Sequence, residues 1–133
     1  MVTVACAVLD PPFDTMTLAL AGHPPPVVAV PGSRGWLAQV EASPPIGTNW
    51  GPPRRSSTIP IPPGTVVAFY TDGLIERRGE SLDVGLERLR DAIRPGTPDQ
   101  VARDIMRQLL SGVVPQDDIA LVVIRRTPPP PKT

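Results

Sequence analysis

Two acidic positions at the ends of apolar runs are the residues of this sequence best suited to chemistry. Asp72 follows the run Val66–Thr71, and the pair Asp117 and Asp118 precedes the run Ile119–Ile124. Short aliphatic runs bounded by polar residues predict buried strands. A carboxylate at the end of such a strand is a rigidly held oxygen ligand for a hard divalent ion. The pattern therefore indicates a metal site shared by two strand ends, although aspartates also flank strands as turn formers or caps.

Four motifs occur in order around these aspartates. They are Ala-Gly-His-Pro-Pro-Pro at 21–26, Ser-Pro-Pro-Ile-Gly at 43–47, the segment 63–76 with its Tyr-Thr-Asp-Gly-Leu-Ile-Glu ending, and Asp-Asp-Ile-Ala-Leu-Val-Val at 117–123. Together they resemble the metal-dependent serine/threonine phosphatase (PPM) superfamily, in its bacterial branch typified by stage II sporulation protein E and the sigma-factor regulator phosphatases. The resemblance runs from about Val4 to Arg125.

The resemblance implies a two-metal phosphatase site in which Asp72 and Asp117 are metal ligands. In a complete domain, two Mn²⁺ or Mg²⁺ ions lower the pKa of a water and shield the ester oxygens of a phosphate monoester. Gly73, which has no side chain, would allow another part of the backbone to approach closely beside the metal site. Asp118 would support the metal ligands from outside or cap the strand end. Alternation along the strand separates Asp117 from Asp118 only weakly, so the choice of Asp117 depends on the resemblance.

Family members also carry an earlier strand with a Gly-Asp motif that bridges both ions, and this chain shows no counterpart of it. We therefore interpret residues 1–127 as the C-terminal portion of a PPM domain. Two aspartates are too few ligands for two ions, so we expect metal binding at roughly millimolar level and little or no activity of the chain alone. A sheet without its N-terminal strands would expose an edge, which predicts association with itself or with a partner.

Three other reactive side chains have competing interpretations. His23, the only histidine, could be a general acid, but its place between a glycine and three prolines favours a structural turn residue. Glu76 could reach a metal-bound water, and a solvated loop position is the simpler interpretation. Cys6 is the only cysteine, which excludes an intramolecular disulfide and fits a reducing cytoplasm; its apolar neighbours predict a buried position.

The residue periodicity predicts an α+β fold, with antiparallel β-sheets and a pair of antiparallel helices packed on one face. The resemblance implies that this fold is part of the PPM αββα sandwich. Strands are predicted at Val2–Leu9, Thr15–Ala21, Val27–Val30, Trp36–Val40, Thr58–Ile61, Val66–Asp72 and Ile119–Ile124, with a loop over Glu41–Arg55. Pro60 places its strand at a sheet edge, because proline cannot donate to a ladder.

Two amphipathic helices are predicted between the last two strands. Asp83 would cap the first helix, which ends at Pro95 and Gly96, and Thr97 would cap the second as a capping box with Gln100. The apolar face of the first helix is Val84, Leu86, Leu89, Ala92 and Ile93, and that of the second, which stops at Gly112, is Val101, Ala102, Ile105, Met106, Leu109 and Leu110.

Composition excludes several kinds of partner. Thirteen basic residues balance 13 acidic ones, so no net field attracts the chain to nucleic acid or to a membrane surface. The sequence shows neither a signal peptide nor an apolar run of membrane-spanning length. The four prolines from Pro128 to Pro131, followed by Lys132 and Thr133, predict a linker or disordered tail at 128–133.

The leading hypothesis is a cytoplasmic phosphatase portion that, by resemblance, removes phosphate from a serine of an anti-sigma-factor antagonist. The alternative is a non-catalytic, phosphatase-like interaction module in sigma-factor regulation. A third interpretation, a proline-rich ligand for aromatic grooves, is supported by the tail alone.

Overall fold

The computed structural model describes residues 1–49 and 51–132 of the 133-residue chain. Trp50 of the predicted loop and Thr133 of the predicted tail lie outside the described residues. The strands are β1 (Val4–Val8), β2 (Thr15–Ala21), β3 (Val27–Ala29), β4 (Trp36–Leu37), β5 (Ala42–Ser43), β6 (Ser57–Pro60), β7 (Val66–Tyr70) and β8 (Leu121–Arg125). The helices are α1 (Leu82–Ala92) and α2 (Pro98–Leu110), and a 3-10 helix spans Asp72–Leu74.

The strands form two sheets. In the first sheet, β2 pairs antiparallel with β1 on one side, and with antiparallel β6 and parallel β5 on the other. The second sheet has the order β4-β3-β7-β8 and is antiparallel throughout. The sheets are antiparallel as predicted, with one additional short parallel pair between β2 and β5, because the segment predicted as a loop over 41–55 contains the strand Ala42–Ser43.

The molecule is built in three layers, with the second sheet in the middle. Its side chains alternate between two cores: Val28 and Val67 pack against the first sheet, whereas Val27 and Ala68 pack against the helices. Because both faces of β7 are covered, its sequence is a continuous run of apolar and aromatic residues. The predicted α+β class, with both helices on one face, is confirmed.

Helix α2 begins as predicted. The Thr97 hydroxyl accepts from the Gln100 N–H, the Gln100 side chain accepts from the Thr97 N–H, and Pro98 is the first helical residue. The predicted cap of α1 was wrong. Ser81, not Asp83, is its N-cap residue, and Asp83 lies in the first turn, where a negative charge suits the helix dipole.

Several residues predicted to be buried are exposed. Val84 and Met106 lie at the margin of the helical faces and remain 47% and 37% exposed. Cys6 is also exposed, because it lies on the outer side of β1. Strands β1 and β8 each have one paired neighbour in the described part of the chain, so both are edge strands; self-association through such an edge stays a prediction. None of the helices in that part is long and apolar enough to cross a membrane.

Candidate metal site at the ends of two strands

Asp72 lies at the point where β7 turns into the 3-10 helix. The chain leaves the sheet after Tyr70, and the Leu74 N–H donates to the Thr71 carbonyl at 3.0 Å. The Asp72 carbonyl accepts from the Ile75 and Glu76 N–H groups at 3.0 and 2.9 Å. The backbone of Asp72 is therefore fixed by the turn, while its side chain is exposed.

The acidic segment, residues 117–120, leads into β8. Asp117 and Asp118 are both exposed. The Asp117 Oδ1 atom accepts from the Asp118 N–H at 2.8 Å, which restrains the Asp117 carboxylate against its own backbone. The other carboxylate oxygen has no contact of this kind in the described residues and can serve a cation.

Gly73 brings these two regions into contact. A Cβ atom at position 73 would lie 2.4 Å from the Asp118 carbonyl oxygen and 3.1 Å from that of Asp117. Only a residue without a side chain allows this approach. The structure therefore places the end of β7 beside the segment that leads into β8, with the backbone of Gly73 against that of Asp117 and Asp118. Asp72 directly precedes this contact along the chain.

A cleft of about 220 Å³ opens beside this contact. Its lining includes Gly73, Glu76, Arg78, Gln116 and Asp117. Glu76, interpreted from sequence as a solvated side chain, is indeed exposed but shares this cleft with Asp117. The neighbouring Arg77 also lines it, while its guanidinium donates to the Leu109 carbonyl at 2.7 Å.

Tyr70 is the buried group nearest to Asp72 along β7. Burial, and to a smaller extent the negative charge of Asp72, raise the pKa of the Tyr70 phenol well above its usual value of 10.0. The phenol donates to the Pro25 carbonyl at 2.8 Å, which ties the proline turn to the second sheet. Tyr70 is therefore a neutral structural anchor beneath the site.

His23 belongs to that proline turn. Its Nδ1 atom is 2.9 Å from the Pro24 carbonyl, and it lines a second cavity, of about 490 Å³, whose lining also includes Thr71 and Ala120. Neither His23 nor Asp72 lines the cleft that contains Asp117. The placement of His23 agrees with a structural turn residue.

The donor chemistry fits a hard divalent cation, but the number of donors is small. Carboxylate oxygens are the ligands that Mg²⁺ and Mn²⁺ prefer. Within residues 1–49 and 51–132, no group of three or more His, Cys, Asp or Glu side chains is placed to hold a metal ion. Asp72 and Asp117 would thus supply part of a coordination shell.

Thr71 is the residue of this region that the sequence interpretation missed. Its hydroxyl accepts from the Ala120 N–H at 2.9 Å and lies 3.4 Å from the Asp118 carbonyl oxygen. A threonine directly before the strand-terminal Asp-Gly was the only local signal.

Known structures share this fold. The RsbU and RsbW domains of a Mycobacterium tuberculosis protein match with a TM-score of 0.78 and 27% identity, over 96% of this chain and 38% of that one. The phosphatase domain of the cell fate determinant SpoIIE from Bacillus subtilis, in its Mn-presoaked form, matches with a TM-score of 0.73 and 20% identity, over 97% of this chain and 58% of that one. The chain thus spans between about two fifths and three fifths of these structures. The family model for stage II sporulation protein E (SpoIIE) matches residues 1–127, and the chain belongs to this family.

Proposed function

We propose that this chain is the portion of a PPM-type protein serine/threonine phosphatase that supplies Asp72 and Asp117 to a divalent-metal site. The observation that carries the proposal is the contact of Gly73 with the Asp117 and Asp118 carbonyls, which brings two carboxylate-bearing strand ends together. Family membership and the phosphatase fold of the similar structures support the same reaction class.

The chemistry follows from the charges involved. A divalent ion, when bound, lowers the pKa of a water and neutralises charge on a phosphate ester. The role of Asp72 and Asp117 is to bind such ions at fixed positions. Arg77 and Arg78 line the adjoining cleft together with the carboxylates of Glu76, Glu80 and Asp117, so a divalent ion would be needed to offset the negative charge before an anionic substrate could bind there.

For the substrate, we propose a phosphoserine of an anti-sigma-factor antagonist in the cytoplasm. Similarity to an RsbU domain and membership of the SpoIIE family support this choice over a small-molecule phosphate ester. The chain spans only part of the matched structures, so we expect it to show little or no turnover by itself.

A phosphoserine-peptide assay with Mn²⁺ or Mg²⁺, and with a chelator as the control, tests the proposal. We expect weak turnover at most, which is abolished by the chelator and by Asp72→Asn. Turnover that persists in the chelator would contradict a metal-dependent reaction. Efficient turnover with tight binding of two ions would contradict the expected incompleteness of the site.

One observation favours a second candidate, a non-catalytic interaction module. The described residues offer two site carboxylates but no cluster of three metal-ligating side chains. Such a module would bind its phosphoprotein partner equally well after Asp72→Asn or Asp117→Asn, whereas a phosphatase portion would lose its metal. Partner pull-down with these two variants, in the presence and absence of Mn²⁺, separates the candidates.

A further inference from the structure

The antiparallel hydrogen-bond pattern between β7 and β8 is altered at Thr71, where the N–H of Ala120 has a side-chain acceptor in place of a backbone carbonyl. The Thr71 N–H still donates to the Ala120 carbonyl at 3.1 Å, as expected for one more antiparallel pair beyond Tyr70 and Leu121. The Thr71 carbonyl, however, accepts from the Leu74 N–H at 3.0 Å, because the 3-10 helix begins there. The Ala120 N–H therefore loses the carbonyl that a continuing ladder would have provided.

The Thr71 side chain takes the place of that carbonyl. Its hydroxyl oxygen accepts from the Ala120 N–H at 2.9 Å. The same hydroxyl is placed to donate to the Asp118 carbonyl, with 3.4 Å between the oxygens. One side chain thus contacts the acidic segment at two points, both beyond Asp117.

The position of Thr71 makes this use of its hydroxyl unusual. Thr71 is the N-cap residue of the 3-10 helix, where a threonine hydroxyl commonly accepts from an N–H of its own helix. No such capping bond is present, and the hydroxyl is directed to β8 instead. Its bonds are therefore made between the two regions that carry the candidate metal ligands.

We propose that Thr71 is a positioning residue of the metal site: its hydroxyl holds the acidic segment against the β7 turn and so fixes Asp117 relative to Asp72. This inference rests on the proposed function. Thr71 directly precedes Asp72, and its two partners, Asp118 and Ala120, directly follow Asp117. Without the hydroxyl, the Ala120 N–H would turn to water, and the acidic segment would keep the bond from the Thr71 N–H, the contact with Gly73 and the packing of Ile119 on the helical core.

The first test needs no metal. Amide hydrogen exchange of the full chain is measured by NMR for wild type, Thr71→Val, which removes the hydroxyl at nearly constant shape, and Thr71→Ser, which keeps it. Thr17→Val is the matched control, since the Thr17 hydroxyl also joins two strands, through Thr58 at 3.2 Å, but in the first sheet. Exchange at Ala120 should accelerate several-fold in Thr71→Val alone.

The second test titrates the same four proteins with MnCl₂ and follows paramagnetic broadening of the Asp72 and Asp117 amides. Loss of an outer-shell partner typically weakens metal affinity by a factor of about ten or more, and Thr71→Val should show that loss while Thr71→Ser and Thr17→Val match wild type. Unchanged Mn²⁺ affinity in Thr71→Val, or equal loss in Thr71→Ser, would overturn the positioning role while leaving the metal site intact. A wild-type chain that binds no Mn²⁺ would overturn both the site and the role.

Discussion

Gly73 packs so closely against Asp118 that a methyl group on Gly73 would lie 2.4 Å from the Asp118 carbonyl oxygen. The obstacle is backbone, so it cannot rotate away as a side chain could. Gly73→Ala must therefore push the acidic segment away from the β7 turn. We expect a loss of about 1–3 kcal/mol in the free energy of unfolding, as for other overpacked sites, together with weaker Mn²⁺ binding. Denaturant unfolding and a Mn²⁺ titration measure the two effects.

Gly96→Ala is the matched control for Gly73→Ala. Gly96 lies between α1 and α2, and a Cβ atom there would meet its nearest neighbours, in Gln100 and Val101, at 3.5 and 3.7 Å, which are ordinary contacts. Its effect on stability should be small. Equal effects of the two substitutions would show that the close approach of Gly73 to the acidic segment does not matter.

Gly85 of α1 provides a second test in which two effects oppose each other. Replacing glycine by alanine within a helix ordinarily stabilises a protein by about 0.5–1 kcal/mol. A Cβ atom at position 85, however, would lie 2.1 Å from the Ile75 carbonyl oxygen, just beyond the 3-10 helix. The clash should outweigh the helix propensity, so Gly85→Ala should lower the midpoint of denaturant unfolding. A raised midpoint would show that α1 can move away from the Ile75 carbonyl without a loss in the free energy of unfolding.

Tyr70 should make the free energy of unfolding depend on pH in the alkaline range. The folded state raises the pKa of its phenol above the value of 10.0 for a free side chain, so the folded protein keeps a proton that the unfolded chain releases. The contribution of the protonated Tyr70 phenol to the free energy of unfolding is fully present below pH 10.0 and is lost as pH rises above that value. Unfolding free energies measured from about pH 8 to about pH 11 should therefore fall in wild type and fall less steeply in Tyr70→Phe.

Because Tyr70 is the only tyrosine, its ionisation can also be followed directly by near-ultraviolet absorbance. The folded protein should show no tyrosinate signal until well above pH 10.0. Titration at the usual value would mean that the phenol is not buried with its hydrogen bond to Pro25.

Local signals predicted the parts of the fold that depend on neighbouring residues. Alternation predicted β2 at its observed bounds, and the Thr97–Gln100 capping box predicted the start of α2. Ser81 and Asp83 both suit a helix N-terminus, so sequence alone could not choose between them. Strand β5 was missed because its two residues pair only with β2, far away in the chain.

The candidate site was predictable to a similar extent. The close approach of the Gly73 backbone was predicted and is observed. Asp72 and Asp117 were chosen from strand-end chemistry and the family resemblance, and their role as metal ligands stays a prediction. Thr71 was not predictable, because its partners Asp118 and Ala120 are 47 and 49 residues away and its role depends on the Leu74 N–H occupying its carbonyl.

The most direct measurement is a Mn²⁺ titration by NMR of wild type, Asp72→Asn, Asp117→Asn and Asp118→Asn, with Asp14→Asn as the control. Asp14 is an exposed carboxylate that pairs with Arg126 at 2.9 Å, and Arg126 follows the end of β8 opposite to Asp117. Wild type should bind Mn²⁺ at roughly millimolar level. Asp72→Asn and Asp117→Asn should each abolish detectable Mn²⁺ binding. Asp118→Asn should weaken the binding less, and Asp14→Asn should leave it unchanged. Wild-type affinity in both Asp72→Asn and Asp117→Asn would contradict a metal site shared by the ends of β7 and β8.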